Sequence, residues 1–524
     1  MNYSQNIFFN SYFNTTQIIF LTLGGAFLLT SLYFQLKKKY NISIIFLGLG
    51  AFCIFCFAAL LDPFLNLWDE RFHALVGKNL IKHPLMPTLY DDPIVQMEYD
   101  RWDRYHIWLH KQPLFLWQIA LSFKLFGISE FTLRLPSVIL GTILVLITYR
   151  SGKLLINQRV GYIAALLTLS TLYIIELIAG RQELDHNDVS FLVYISLSLW
   201  SLIEYQYTHK KIWIYLIGLF AGMAILCKWL IGLVVYLGWI VLRFLQKRFK
   251  ITENKDILLS LLITVIISAP WQIYILLKFP TEAIASYKYN TLHFKTILEG
   301  HGGDLFYHFK MMTTIYGSWT KYLIIPAFIT FFIKSKDKKL FYSLSCIVII
   351  VYVFYSLAAT KMPSYTIIVA MINFIAFATL IDFILNYLSY FIKNPLVNHI
   401  IFAASILTIF TLRFDINTLR KKHTLWKENN YYTRMMINNK KIFTSLKLPP
   451  NSVLFNVEGR YYVDAMFYTG LPAYNFFPSS DQCKDLTEKG KQIVILNSND
   501  KEIPAYLKND PAIMFVKEEL ICHE

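Results

Sequence analysis

Long apolar runs, each near the length of a membrane crossing, alternate with short polar loops through the first four-fifths of the chain. They occupy residues 17–36, 42–61, 134–155, 160–178, 189–206, 257–278, 340–358, 366–388 and 396–412, with a shorter run at 321–334. A helix needs about 20 apolar residues to span the hydrocarbon core. In lipid its backbone groups must be paired within the segment, so these runs predict transmembrane helices. The run 212–242 has basic residues at both ends: Lys210 and Lys211 before it, Arg243, Lys247, Arg248 and Lys250 after it. Two short crossings with a hairpin at Cys227-Lys228-Trp229 keep both ends on the cytoplasmic side, where Lys and Arg accumulate. Residues 113–126 predict a short apolar helix, partial or tilted. The pattern therefore predicts a polytopic α-helical membrane protein with about 12–13 transmembrane helices.

Parity follows from the basic runs. Lys37-Lys38-Lys39 places the N-terminus outside and the loop 62–112 outside as well. The polar insert 180–188, the segment 279–320 and the turn Thr360–Tyr365 fall on the same external side. In the loop 62–112, amphipathic pieces such as FHALVGKNLI are expected to lie along the membrane surface. From about residue 414 the composition turns polar, with β-like runs at 452–457, 492–496 and 512–516. This reads as a transmembrane domain, 1–413, followed by a small external α/β domain, 414–524, long enough to fold alone.

Composition agrees. Of 524 residues 56% are hydrophobic and 16% charged, against roughly 25% charged in soluble domains. The net charge of +16 is accounted for by the cytoplasmic loops and anionic lipid, and no basic soluble module points to nucleic acid. The cysteines are sparse; Cys483 and Cys522 are placed to pair if their domain is extracytoplasmic.

Candidate chemistry gathers in the external loops. Asp69-Glu70 stands just beyond a span, where carboxylates are costly and therefore point to function. Asp69 suits a general base whose basicity a half-dry site raises, and Glu70 a substrate, metal or helix N-terminus. His73, His110 and His301 lie in the same or neighbouring external loops and suit substrate positioning. Asp188 suits orienting a sugar hydroxyl or capping its helix, and the hairpin presents Lys228 outward. Lys111-Gln112-Pro113, Arg134-Leu135-Pro136 and Lys361-Met362-Pro363 each set a cation two residues before a proline read as opening a helix. Free amide donors and a flanking cation there suit an anionic head group; interfacial snorkelling suits the same cations. No histidine pair has the spacing of a known zinc motif, so a divalent metal is left open and no other cofactor is implied.

Several motifs occur in one order. They are Trp68-Asp69-Glu70 with Phe72-His73-Ala74, His110-Lys111-Gln112-Pro113-Leu114, Phe126-Gly127, Arg134-Leu135-Pro136-Ser137, Asp188, Leu226-Cys227-Lys228, Pro270-Trp271, Gly300-His301-Gly302-Gly303 and Lys361-Met362-Pro363-Ser364-Tyr365. In this the chain resembles the bacterial dolichyl-phosphate-mannose–protein mannosyltransferase-like proteins, which include undecaprenyl-phosphate aminoarabinose–lipid A transferases. The resemblance spans about residues 40–390. It implies the type C glycosyltransferase fold, a polyprenyl-phosphate sugar donor, a lipid, glycan or protein acceptor, and an external active site in a bacterial inner membrane. It implies Asp69 as the essential acid, Lys111 on the donor phosphate, and Lys361, Pro363 and Tyr365 as the late motif. Gln112 replaces a usual proline, and His110 stands where aminoarabinose transferases carry glutamate. A transporter or flippase of lipid-linked sugars is the alternative; it calls for ionisable residues near the midplane and two related halves, and neither is visible.

Overall fold

The computed structural model describes residues 13–95, 101–182, 184–392, 394–423, 431–497 and 502–521. Among them, nine helices are long and apolar enough to cross a membrane. A tenth arises if Gln158–Leu169 and Leu172–Ile178, bent by 54°, count as one span. The bend falls at Ser170 and Thr171, whose hydroxyls accept from the Arg413 guanidinium at 3.3 and 2.7 Å. A cation reaching into an interrupted helix in this way satisfies groups that the break exposes.

Two further crossings of the expected twelve fall below the length of a full span. Thr320–Lys334 has 15 residues. The other lies within Ile212–Leu245, which a 3-10 turn at Trp229–Leu233 interrupts. The chain folds back there. A Cβ at Gly218 would meet Ser260 and Ile263 of helix Lys255–Lys278. The Tyr236 hydroxyl, on the returning arm, bonds Ser260 and Thr264 of that same helix. Arg243 then pairs with Asp256, near the helix start. Both basic ends thus share one end of the bundle, as their charge predicted. Helix Lys255–Lys278 buries Ser260, Thr264 and Ser268 against the arm carrying Gly218 and Gly222, and leaves Leu258, Leu262, Ile266, Ile273 and Leu277 exposed. Small residues at a helix contact let backbones approach closely, while the outer face suits lipid.

Of the three proline-led starts, two hold. Pro113 precedes helix Leu114–Phe126, and Pro363 opens the 3-10 turn Pro363–Val369. Pro136 does not open a helix. That helix begins at Glu130, capped by the Ser129 side chain on the Thr132 N–H, and carries Arg134 and Pro136 inside it. A cap seven residues upstream starts the helix early and leaves Pro136 in its interior, where it cannot donate to the Thr132 carbonyl; the Ser122 hydroxyl donates to that oxygen at 2.6 Å instead.

The C-terminal region forms a parallel sheet of β1 (Ser452–Phe455), β2 (Gln492–Leu496) and β3 (Met514–Val516) in that order, with Ser452 opposite Gln492 and Val494 opposite Met514. Helices Tyr461–Thr469, Ser480–Glu488 and Ala505–Lys508 lie between the strands in sequence. The pairing of Cys483 with Cys522 falls outside the described residues. This region does not stand apart from the rest. Phe72, Trp102, Trp108 and Phe115 share one apolar cluster with Met436, Phe455, Tyr462, Phe467 and Leu496. Arg71 pairs with Asp464 at 3.1 Å and lies over the Tyr461 ring. Helix Asp69–Asn79, expected along the membrane surface, is instead nearly all buried beneath helix Tyr461–Thr469. Its polar side chains find partners in the interior, Glu70 with Arg134, Arg71 with Asp464 and His73 with Asp185, so the helix can be covered on both sides.

Candidate active site

The first turn of helix Asp69–Asn79 supplies the leading carboxylate. Trp68, its N-cap, holds φ 67, ψ −133, a region costly for a side chain with a Cβ. The turn brings Asp69 to within 2.9 Å of the Lys111 ammonium, with both side chains about a tenth exposed. Burial raises the Asp69 carboxyl, but Lys111 together with His73 outweighs it and holds the acid below the usual range. This is opposite to the expected rise in basicity, because the nearest cation favours the charged form.

Both groups line a cavity of about 920 Å³. Lys228 enters from the hairpin tip, 2.6 Å from Asp188 Oδ1 and 4.8 Å from the centre of the Tyr365 ring. His110, His301 and Tyr365 also line it. His110 stacks on Trp102 at 4.3 Å. Burial, then Lys111, hold His110 well below the ordinary histidine value, so it is neutral at pH 7. The Gln112 departure has a partner: Gln272 Nε2 donates to Gln112 Oε1 at 2.7 Å, and Tyr287 O–H donates to Gln272 Oε1 at 2.9 Å.

Five expected site residues are not in the wall, and of these Asp188 touches it through Lys228. Lys361 is not in the wall, though its neighbours Thr360 and Met362 are; its ammonium donates to Ala358 O at 2.5 Å. Glu70 and Arg134 are spent on each other, at 2.7 and 2.9 Å through two parallel bonds, with exposures of 1% and 0%. Arg134 also donates to the carbonyls of Ala59, Asp62 and Phe64, and Glu70 accepts from the Asn66 N–H. They buttress the loop from behind. His73, fully buried, points away into a cluster with Asp185 and His186.

Glu299 and His293 in the wall, and Arg460 beside it, were not among the expected site residues. Glu299 accepts from Trp102 Nε1 at 2.9 Å and from Tyr289 O–H at 3.1 Å. Burial, with Lys111 and Lys228, brings His293 down to about 4. From the C-terminal region, Arg460 lies over both Trp68 and Trp102 at 5.2 and 5.4 Å and pairs with Asp103. No local pattern marks Arg460; Glu299 sits beside the Gly300-His301-Gly302-Gly303 turn, which was a usable signal.

Gly180, at φ +74, packs against Glu70; a Cβ there would stand 2.0 Å from Oε1. Gly180→Ala is expected to destabilise the protein by about 2–4 kcal/mol, combining overpacking with left-handed backbone strain. A lowered unfolding midpoint in detergent checks this.

The fold and site define a polytopic membrane protein of the type C glycosyltransferase fold with an acid–lysine pair in a large cavity. Residues 110–274 match the family described as dolichyl-phosphate-mannose-protein mannosyltransferase. ArnT from Cupriavidus metallidurans, solved bound to undecaprenyl phosphate, superposes with TM-score 0.61 at 14% identity, covering 85% of this chain and 88% of that one. The Archaeoglobus fulgidus oligosaccharyltransferase, tethered with an acceptor peptide, gives TM-score 0.53 at 12% identity over 85% of this chain and 68% of its own. An uncharacterized protein of Aquifex aeolicus (strain VF5) is 26% identical over 207 residues, 39% of this chain. The match spans 38% of that relative's length. The family resemblance and the fold read from the motifs are borne out.

Proposed function

We propose that the protein transfers a sugar from a polyprenyl phosphate to an acceptor on the extracytoplasmic side of the membrane. The observation that carries this is the Asp69–Lys111 pair at 2.9 Å in the wall of the ≈ 920 Å³ cavity, with Lys228 in the same wall. The family match over residues 110–274 and the fold shared with a protein solved bound to undecaprenyl phosphate support the donor class. The charge bias supports the side: basic loops gather at the end of the bundle opposite the cavity, which the positive-inside rule makes cytoplasmic.

In this reading the acceptor hydroxyl attacks the anomeric carbon while Asp69 takes its proton. The bond from that carbon to the phosphate oxygen breaks, with inversion, and polyprenyl phosphate leaves on Lys111 and Lys228. Leu230, Leu237, Leu261, Ile350 and Phe354 give the cavity an apolar side facing the spans, suited to a prenyl chain. Donor phosphate drawing on Lys111 relieves Asp69 of its counter-charge, so basicity rises when substrate is bound. Incubating the purified protein with radiolabelled polyprenyl-phosphate sugars and scoring released polyprenyl phosphate and labelled acceptor tests the reading. Uptake into sealed vesicles without any bond cleavage would replace it with transport.

Lys111→Gln removes the interaction that holds Asp69 low and leaves burial, which raises it. The acid limb of the kcat/KM–pH profile, which reports the free enzyme, is therefore expected to move to higher pH. KM for the donor should rise as well, since a phosphate contact is lost. An unmoved acid limb would separate Lys111 from the base.

A further inference from the structure

One turn beneath Asp69 on the same helix face, His73 meets Asp185 and His186, the first two residues of helix Asp185–Thr208. The three contacts are His73 Nδ1 to His186 Nδ1 at 3.2 Å, His186 Nδ1 to Asp185 Oδ1 at 3.0 Å, and His73 Nδ1 to Asp185 Oδ1 at 3.4 Å. All three side chains are at most 2% exposed. We propose that His73, Asp185 and His186 form a buried zinc-class metal site that rivets the Asp69 helix to the helix carrying Asp188.

The dimensions fit. An ion with zinc-like bonds to nitrogen and oxygen, at about 2.0–2.2 Å, holds its ligands roughly 3.3–3.5 Å apart at tetrahedral angles. The triangle of 3.0, 3.2 and 3.4 Å is close to one face of that figure. The donors fit too, since two imidazoles and a carboxylate suit zinc over magnesium or calcium. Asp185 Oδ2 and the far nitrogen of His73 are buried with no hydrogen-bond partner, polar groups left over around the triangle, and the fourth position falls to a water. The far nitrogen of His186 faces Glu70 Oε1 at 3.8 Å, so a carboxylate stands behind a ligand histidine, as around many bound metals. Trp108 and Phe115 pack edge-on against His73 and keep water off that side.

The ion has a mechanical consequence. Asp69 lies four residues before His73 and lines the cavity; Asp188 lies three residues after Asp185 and holds Lys228 in the cavity wall, so both stand at a helix end the ion holds. It would position Asp69 and the Asp188–Lys228 pair relative to each other without touching substrate. This does not depend on the transfer reading.

The test uses the full chain, purified in detergent with a histidine-free tag and supplied with zinc. Elemental analysis is expected to find about one zinc per chain, and cobalt exchange should produce the visible bands of a four-coordinate nitrogen–oxygen site. His73→Gln combined with His186→Gln should lower metal content at least about tenfold, while His293→Gln, in the cavity wall, should keep it. A folded, monodisperse wild-type protein that stays metal-free after zinc supply would overturn the proposal. So would wild-type metal content in the paired variant, which would mean binding at surface histidines. Where the paired variant does not fold, the wild-type zinc content and cobalt spectrum decide.

Discussion

Asp69→Asn is expected to lower sugar transfer by about 10²–10⁴-fold, the usual contribution of a positioned base. The protein should still insert, purify and melt as the wild type does. The reason is local. Asparagine keeps the size of the side chain and an oxygen for Lys111 to donate to, in a position about a tenth exposed. What it loses is the capacity to take a proton. Transfer measured at saturating donor, beside size-exclusion and melting profiles, distinguishes chemistry from folding. Near-normal turnover in a well-folded Asp69→Asn protein would remove Asp69 from the reaction.

Arg134→Leu and Glu70→Ala are expected to act oppositely: they should cost stability first. The pair is fully buried, and removing one member of such a pair typically destabilises by about 3–5 kcal/mol. Arg134 also carries three carbonyls, those of Ala59, Asp62 and Phe64, which leucine leaves unsatisfied. Arg134→Lys should rescue little, because an ammonium cannot reproduce the two parallel bonds to Glu70. The measurement is the folded yield and melting midpoint, with specific activity taken on the folded fraction. If both variants melt like the wild type yet lose transfer, then Glu70 and Arg134 act on substrate after all.

The two neighbouring acids show how far a sequence carries. Asp69 and Glu70 are indistinguishable as letters: each is a carboxylate just past a span, in the same loop. Helix geometry turns successive side chains about 100° apart. One therefore faces the cavity and Lys111, the other the buried wall and Arg134. Which direction is which depends on where the bundle lies. The same applies to the cations. Lys111 and Lys361 look alike before their prolines, yet only Lys111 reaches the cavity wall, while Lys361 turns onto its own backbone. Arg134 was misplaced because Ser129 starts its helix earlier than Pro136 does.

The sequence by itself determined the crossings, the fold-back at Lys228 and the gathering of acids and histidines at one end. Those follow from local quantities: the length of an apolar run, the sign of the charge at its ends and the need to pair every backbone group in lipid. Only the tertiary structure decided which charges face the cavity and which hold the frame. It also joined the C-terminal sheet to the loop that carries Asp69 and set His73 beside Asp185 and His186. A buried polar group takes whichever partner desolvates with it. Arg134 finds Glu70 across 64 residues and Arg460 finds Asp103 across 357, and no periodicity records either choice.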